Sequence, residues 1–401
     1  AASTFNNTGS NSIYVAYNSS NNVFGGVATF NNSPTANTLI YVSPYSAGTV
    51  FNDNIVVTST NGQGVQFCGS NATASATLAA SKTISIGGAG FSAGTLLLKQ
   101  FTQVGPTAQN LTLTGSSILQ YGPTSVFNGN ITSVSPRLYF NGCTFNGTAN
   151  CTKNGATDDQ GIGNNIFNGT TTITNTGAGY FGFGWSLPDT WNNDVTFTNN
   201  GSERILPAWV AAGNLFNGNI TVNSTGSSTG IHFCGNSAVA TATLASGKSI
   251  NTGTFDKGYL ILNRFTQLGN AAVNLNLTTT SNYLTLGPLS SFGGNFTAVA
   301  PSVNNITSTI FNGTANITKT GAANDQWTGG NTFGSSSTIL NSGTGYILLG
   351  VTNPDTYNGD VTFTNSGSNY IAPSYNSTGN LFNGNITVNS IGSSTGINFG
   401  P

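Results

Sequence analysis

The sequence is short of charge. Only 5% of its 401 residues are Asp, Glu, Lys or Arg, nine basic against ten acidic, where an ordinary soluble domain carries about 25%. A net charge of −1 leaves no electrostatic footprint for nucleic acid or an anionic membrane surface, so neither is expected as a partner. Methionine is absent, even at position 1, which reads as a mature product or an excised piece of a longer protein. No run approaches the ~20 apolar residues of a membrane span, and no basic stretch followed by an apolar one opens the chain. Membrane insertion is therefore not expected. Apolar residues never recur with a period of 3.6 over a useful length, which argues against amphipathic helices. There is no Gly-x-Ser-x-Gly elbow, no phosphate-binding glycine loop and no Cys/His metal spacing, so no cofactor is expected. Disorder is excluded by what the chain has instead: 25 Phe, 13 Tyr and 4 Trp, far too many for a segment that buries nothing.

What is present repeats. Phe145-Asn-Gly-Thr-Ala-Asn150 returns as Phe311-Asn-Gly-Thr-Ala-Asn316, and Phe216-Asn-Gly-Asn-Ile-Thr-Val222 returns at the same offset as Phe382-Asn-Gly-Asn-Ile-Thr-Val388. Phe67-Cys68-Gly69 and Phe233-Cys234-Gly235 share that offset too. Self-similarity at a fixed step, here a super-repeat of about 166 residues, is the mark of a repeat architecture. The chain reads as one continuous body over 1–401, with a partial super-repeat in 1–144, a full one in 145–310 and a partial one in 311–401. Inside each super-repeat an aromatic marker recurs about every 24 residues: Phe145, Phe167, Trp191 and Phe216, then Phe311, Phe333, Tyr357 and Phe382. Periods of this shorter length belong to solenoids, propellers and arrays.

Segments such as Asn219-Ile-Thr-Val-Asn223 and Asp360-Val-Thr-Phe-Thr364 alternate apolar and polar residues, which is the signature of half-buried strands. Clusters of Asn, Ser, Thr and Gly between them supply tight corners. The expected fold is all-β, a parallel β-helix (β-solenoid) with about 24 residues per coil, right-handed by the crossover rule. Strands about 4.8 Å apart place equivalent residues of successive coils in columns. Apolar side chains then fill a narrow interior and Asn amides bond from coil to coil. Like charges in such columns would repel, which accounts for the missing charge.

Few side chains invite chemistry. Cys68, Cys143, Cys151 and Cys234 read as buried free thiols acting as small apolar residues rather than as disulfides. Asp189 and Asp194 recur as Asp355 and Asp360, and Asp158-Asp159 is partly echoed by Asp325. The Pro-Asp-Thr context of Asp189 and Asp355 points to turn capping rather than Ca²⁺ binding or a catalytic acid pair, and Lys and Arg are almost absent nearby. His232, the single His, reads as a surface or corner residue. Tyr180-Phe-Gly-Phe-Gly-Trp185, with Trp191 and Trp209, is the densest aromatic region. Core filling is expected there, with Tyr180, Trp185 and Trp209 as the candidate glycan contacts if rings are exposed. The sequons at Asn130, Asn146, Asn219, Asn312 and Asn385 follow from composition, and several are expected inside strands, where a glycan fits badly. Thr-rich stretches such as Thr170–Asn175 raise ice binding, but the Thr tracts read as scattered over different coil positions.

The repeats Phe-Asn-Gly-Asn-Ile-Thr-Val-Asn-Ser-x-Gly-Ser-Ser-Thr-Gly-Ile, Thr-Ala-Thr-Leu-Ala-x-x-Lys-x-Ile and Asn-x-Pro-Asp-Thr-Tyr-Asn-Gly-Asp-Val resemble the tandem repeats of very large surface proteins of Bacteroidota. That resemblance spans essentially the whole chain and implies an extracellular or cell-surface location, commonly reached by the type IX route, and an adhesin or filament role. It carries no functional residues. The expected function is a non-catalytic structural rod that self-associates head-to-tail or laterally and touches surfaces or polysaccharide. The rival is a polysaccharide-binding or polysaccharide-cleaving β-helix, and a lesser alternative is an ice-binding solenoid.

Overall fold

The computed structural model describes residues 1–235 and 237–400. They contain strands and turns and no helix, hence none long and apolar enough to cross a membrane. The chain falls into two compact units, Ala1–Asp194 and Val195–Pro401.

The first unit holds 24 strands, three per coil in eight coils. One coil runs Ala149–Lys153, Asp159–Gln160, Ile166–Phe167, and each strand pairs in parallel with its counterpart in the next coil. The three positions define a first, a second and a third ladder. First-ladder strands alternate buried and more exposed residues, as in Thr171–Asn175, because successive side chains point to opposite faces. Like residues meet in register: Thr4 faces Thr29, Phe5 faces Phe30, Asn6 faces Asn31 and Asn7 faces Asn32. Length variation falls between the strands, since a long coil separates the third-ladder partners Phe24 and Phe51 and a short one separates Phe127 and Phe145.

The second unit repeats the plan with eight such coils and one further first-ladder strand, Ile386–Ser390. Its coils vary in the same way, from the long one between Phe216 and Leu244 to the short one between Phe292 and Phe311. The strand Ile84–Phe91 in one unit and Ile250–Phe255 in the other both carry a register shift against the preceding coil, so even the irregularity recurs from one super-repeat to the next.

The aromatic markers stand in the third ladder, and seven of the eight are fully buried, Phe382 being half-buried. In the first unit Phe145 stacks on Phe167 with centroids 5.1 Å apart, and Phe167 on Trp191 at 4.1 Å. In the second, Phe311, Phe333, Tyr357 and Phe382 form a continuous column with spacings of 5.1, 4.7 and 4.9 Å. These spacings follow the strand repeat, so coil stacking sets the ring stacking.

Corners need the left-handed backbone region. After second-ladder strands it is taken by Ala16 (φ 52°), Ser43 (55°), Cys68 (55°) and Cys234 (59°). Gly64 and Gly230 begin second-ladder strands at φ near +100°, where a Cβ would fall 2.2 Å from the Thr95 carbonyl oxygen and 2.0 Å from that of Tyr259. Only glycine lets the neighbouring coil approach so closely.

Candidate functional site

The interior carries polar groups in defined posts. Asn175 closes the turn after its strand: its Nδ2 donates to the Gly179 carbonyl (3.1 Å) and its Oδ1 accepts from the Gly177 N–H (3.2 Å). Asn341 does the same with Gly345 (3.0 Å) and Gly343 (3.2 Å). One coil earlier, at the same register, stand fully buried Lys153 and Lys319. Lys153 Nζ donates to Gly155 O (2.8 Å) and Gly179 O (3.1 Å), and Lys319 Nζ to Gly321 O (2.6 Å) and Gly345 O (3.3 Å). The lysine thus serves two turns where an asparagine serves one.

Each lysine has a buried carboxylate for company. Asp159 accepts from Leu138 N–H (2.8 Å) and from Arg137 Nε (3.1 Å), and Asp325 from Ser302 Oγ (2.6 Å) and Val303 N–H (2.7 Å). Burial lowers both lysine pKa values and raises both aspartate values, partly offset by their mutual attraction. The expectation that basic residues are nearly absent around these acids is therefore corrected: Lys153 and Arg137 sit beside Asp159. Asp158, by contrast, is exposed and accepts from Tyr180 N–H (2.9 Å).

Asp189 and Asp355 cap backbone as expected, and they do so across coils as well: Asn165 N–H of the preceding coil donates to Asp189 (2.9 Å) and Asn331 N–H to Asp355 (2.9 Å), while the Gly184 and Gly350 N–H groups of their own coils also hydrogen-bond to the two carboxyls. Both are fully buried, and that burial lifts each carboxyl to about 7. Asp194 and Asp360 remain exposed, and Asp360 accepts from Asn385 N–H (2.8 Å). His232 is not a surface residue. It lies in the strand Gly230–Phe233 with 8% exposure, and burial, then the Arg204 charge, lowers it to about 4. All four cysteines are free and buried, and burial raises Cys68, Cys151 and Cys234 to about 12. Among the described residues no three of His, Cys, Asp and Glu gather closely enough to hold a metal ion.

The outer faces carry columns. Asn146 donates to Asn128 (2.6 Å), Asn168 to Asn146 (2.7 Å) and Asn192 to Asn168 (2.7 Å), an amide ladder along the first unit. Asn383 and Asn358 continue the motif in the second (2.9 Å). The five sequon asparagines lie in the connections entering first-ladder strands, although Thr132, Thr221 and Thr387 of three sequons fall within those strands. The amides of Asn130, Asn146, Asn219 and Asn385 are engaged there, as when Asn130 Oδ1 accepts from Thr148 N–H (2.9 Å). The Thr residues are not scattered either. Thr297, Asn316, Thr338, Thr362 and Thr387 occupy one outward column of the first ladder. Varying coil length hides this alignment in the sequence, because the insertions fall elsewhere in the coil.

The predicted aromatic contacts occupy different settings. In the first unit Tyr180 is half-buried with its hydroxyl bonded to Gln160, while Trp185 is 39% exposed. In the second unit Trp209 is half-buried and lies within contact distance of Gly235. The largest exposed aromatic cluster was not anticipated. Tyr14 is 52% exposed, Tyr17 56% and Tyr45 40%. Tyr14 stacks on Tyr41 at 4.8 Å, and Tyr17 packs edge-on against Tyr14 (5.3 Å) and Tyr45 (5.4 Å). The corners at Ala16 and Ser43 throw Tyr17 and Tyr45 outward just beyond the second ladder. Burial and the neighbouring Tyr14 and Tyr45 hydroxyls push the Tyr41 phenol up. Tyr14, Tyr17 and Tyr45 line an open recess of about 530 Å³.

The chain matches no protein-family model, no curated protein and no solved structure.

Proposed function

We propose that the chain is a non-catalytic structural segment of a large extracellular repeat protein, a stack of β-coils serving as adhesin stalk or surface filament. The observation that carries this reading is like-on-like register sustained from coil to coil, as in the Phe311–Phe333–Tyr357–Phe382 column and the Asn128–Asn146–Asn168–Asn192 ladder. Such columns devote side chains to joining each coil to the next. The buried carboxylates serve the same end, since Asp159, Asp189, Asp325 and Asp355 all accept backbone N–H groups of the preceding coil. Low charge makes association between copies nearly insensitive to salt, which suits lateral or head-to-tail self-association at a cell surface.

Three measurements test the reading against its rivals. Incubation with plant and algal polysaccharides is expected to release no new reducing ends, and turnover would favour the cleaving β-helix. Antibody against the chain should label intact cells of the source, and label seen only after permeabilisation would overturn the surface assignment. The outward Thr column keeps ice binding as a second reading, expected to fail in an ice-recrystallisation assay and adopted if crystal growth is arrested.

A further inference from the structure

We infer that the tyrosine cluster of the first two coils is a binding site for a neutral oligosaccharide. The cluster presents ring faces and phenol hydroxyls together in one recess, the combination that receives the C–H face and hydroxyls of a sugar ring. Tyr17 and Tyr45 hold each other edge-on at 5.4 Å, and Tyr14 rests on Tyr41 at 4.8 Å, so the platform is set by the coils beneath it before any ligand arrives.

Charge selects the class of ligand. No charged side chain occurs before Asp53, so a phosphate, sulfate or uronate finds no cation in these coils. The same second-ladder column continues outward from Tyr14 and Tyr41 through Gln66, Leu97 and Gln120 before it reaches Tyr139, which carries the Arg137 guanidinium on its ring. At strand spacing the uncharged row from Tyr14 to Gln120 runs about 19 Å, and an open groove of about 400 Å³ beside Gln63, Gln66 and Gln120 borders it. Neutral amides following an aromatic platform fit an extended, uncharged glycan. The recess has the volume of a small-ligand site, which sets it apart from the broad contact patch a protein partner requires.

Internal repetition supports a role beyond packing. Tyr45, Trp209 and Tyr375 precede the positive-φ glycines Gly48, Gly213 and Gly379 by three or four residues, so each super-repeat sets an aromatic at this corner. A ligand here would sit on the flank of the first unit's coils, and its binding is tested separately from the proposed structural role.

The test is an array of neutral and acidic oligosaccharides probed with the 401-residue chain, followed by calorimetric titration of the strongest neutral hit. Tyr17→Ala with Tyr45→Ala should weaken binding about tenfold or more, Tyr17→Phe with Tyr45→Phe should keep most of it, and Trp185→Ala should leave it unchanged. If the double Ala variant does not fold, Tyr17→Ser alone, altering the most exposed ring of the cluster, should still weaken binding severalfold. An array without neutral hits, hits confined to acidic glycans, undiminished binding by the Ala or Ser variants, or a protein as the only ligand captured would each overturn the assignment.

Discussion

Asp189 and Asp355 each surrender their water to hold an N–H of the neighbouring coil, and titrate near 7 in consequence. Their folded-state values lie above the unfolded carboxylate value of 3.8, so their contribution to stability is complete below about pH 4 and is lost as pH rises through about 7. Relative to the parent, Asp189→Asn and Asp355→Asn should therefore gain stability between pH 4 and pH 8, up to roughly 4 kcal/mol per site, measured by denaturant unfolding across that range. A parallel pH dependence in parent and variant would refute the buried-acid account. His232 runs the other way: its value is lowered to about 4, so its contribution is present above about 6.5 and fades as pH falls through 4. Lys319→Met takes the short Nζ bond from the Gly321 carbonyl, leaves the Gly345 carbonyl with Asn341 as its side-chain donor, and leaves Asp325 without its nearby cation, and should cost about 3 kcal/mol in the same assay. None of these burials was legible in the sequence, because Asp, Lys and His are ordinarily surface residues and only three-dimensional register reveals which corner faces inward.

At the level of strands and columns the sequence was far more informative. Alternation and the aromatic period located the ladders, since the aromatic third-ladder positions and many first-ladder positions keep their character one coil later. Phe333 is sandwiched between Phe311 and Tyr357, so Phe333→Ala should destabilise by about 3–5 kcal/mol, read by thermal or denaturant unfolding. The amide ladder makes a second prediction. Replacing Asn146 and Asn168 together by Asp removes the bonds of 2.6 and 2.7 Å that their amides donate and sets like charges one strand spacing apart. The pair should cost about 1 kcal/mol or more beyond either single change, with the excess shrinking in high salt. Local sequence misled wherever coil length varies. The outward Thr column is broken up by insertions in other parts of the coil. Tyr14 and Tyr41 are direct neighbours in the second ladder yet a whole coil apart along the chain, whereas the dense run near Trp185 drew attention to rings that serve mainly the core. Left-handed corners at Cys68 and Cys234 were hidden too, because the backbone region they occupy is usually signalled by Gly or Asn.

At the scale of the whole molecule, each unit is a stack of parallel coils, and the role proposed for the chain is that of a stiff spacer. The first rests on the ladders and their register; the second on what buried polar groups are used for, which is fastening coil to coil. A spacer needs length, resistance to unfolding and a chemically quiet side. The low charge and the recurrent Asn, Ser and Thr suit the last of these, and the recess lined by Tyr14, Tyr17 and Tyr45 is the departure from that quiet where a ligand is proposed. The most direct test of the spacer claim is cryo-electron microscopy of the whole chain in solution. The proposed role predicts that each unit is seen as a stack of coils of constant cross-section with a strand repeat near ~4.8 Å. A compact particle, with its coils folded back around a deep cleft, would contradict it.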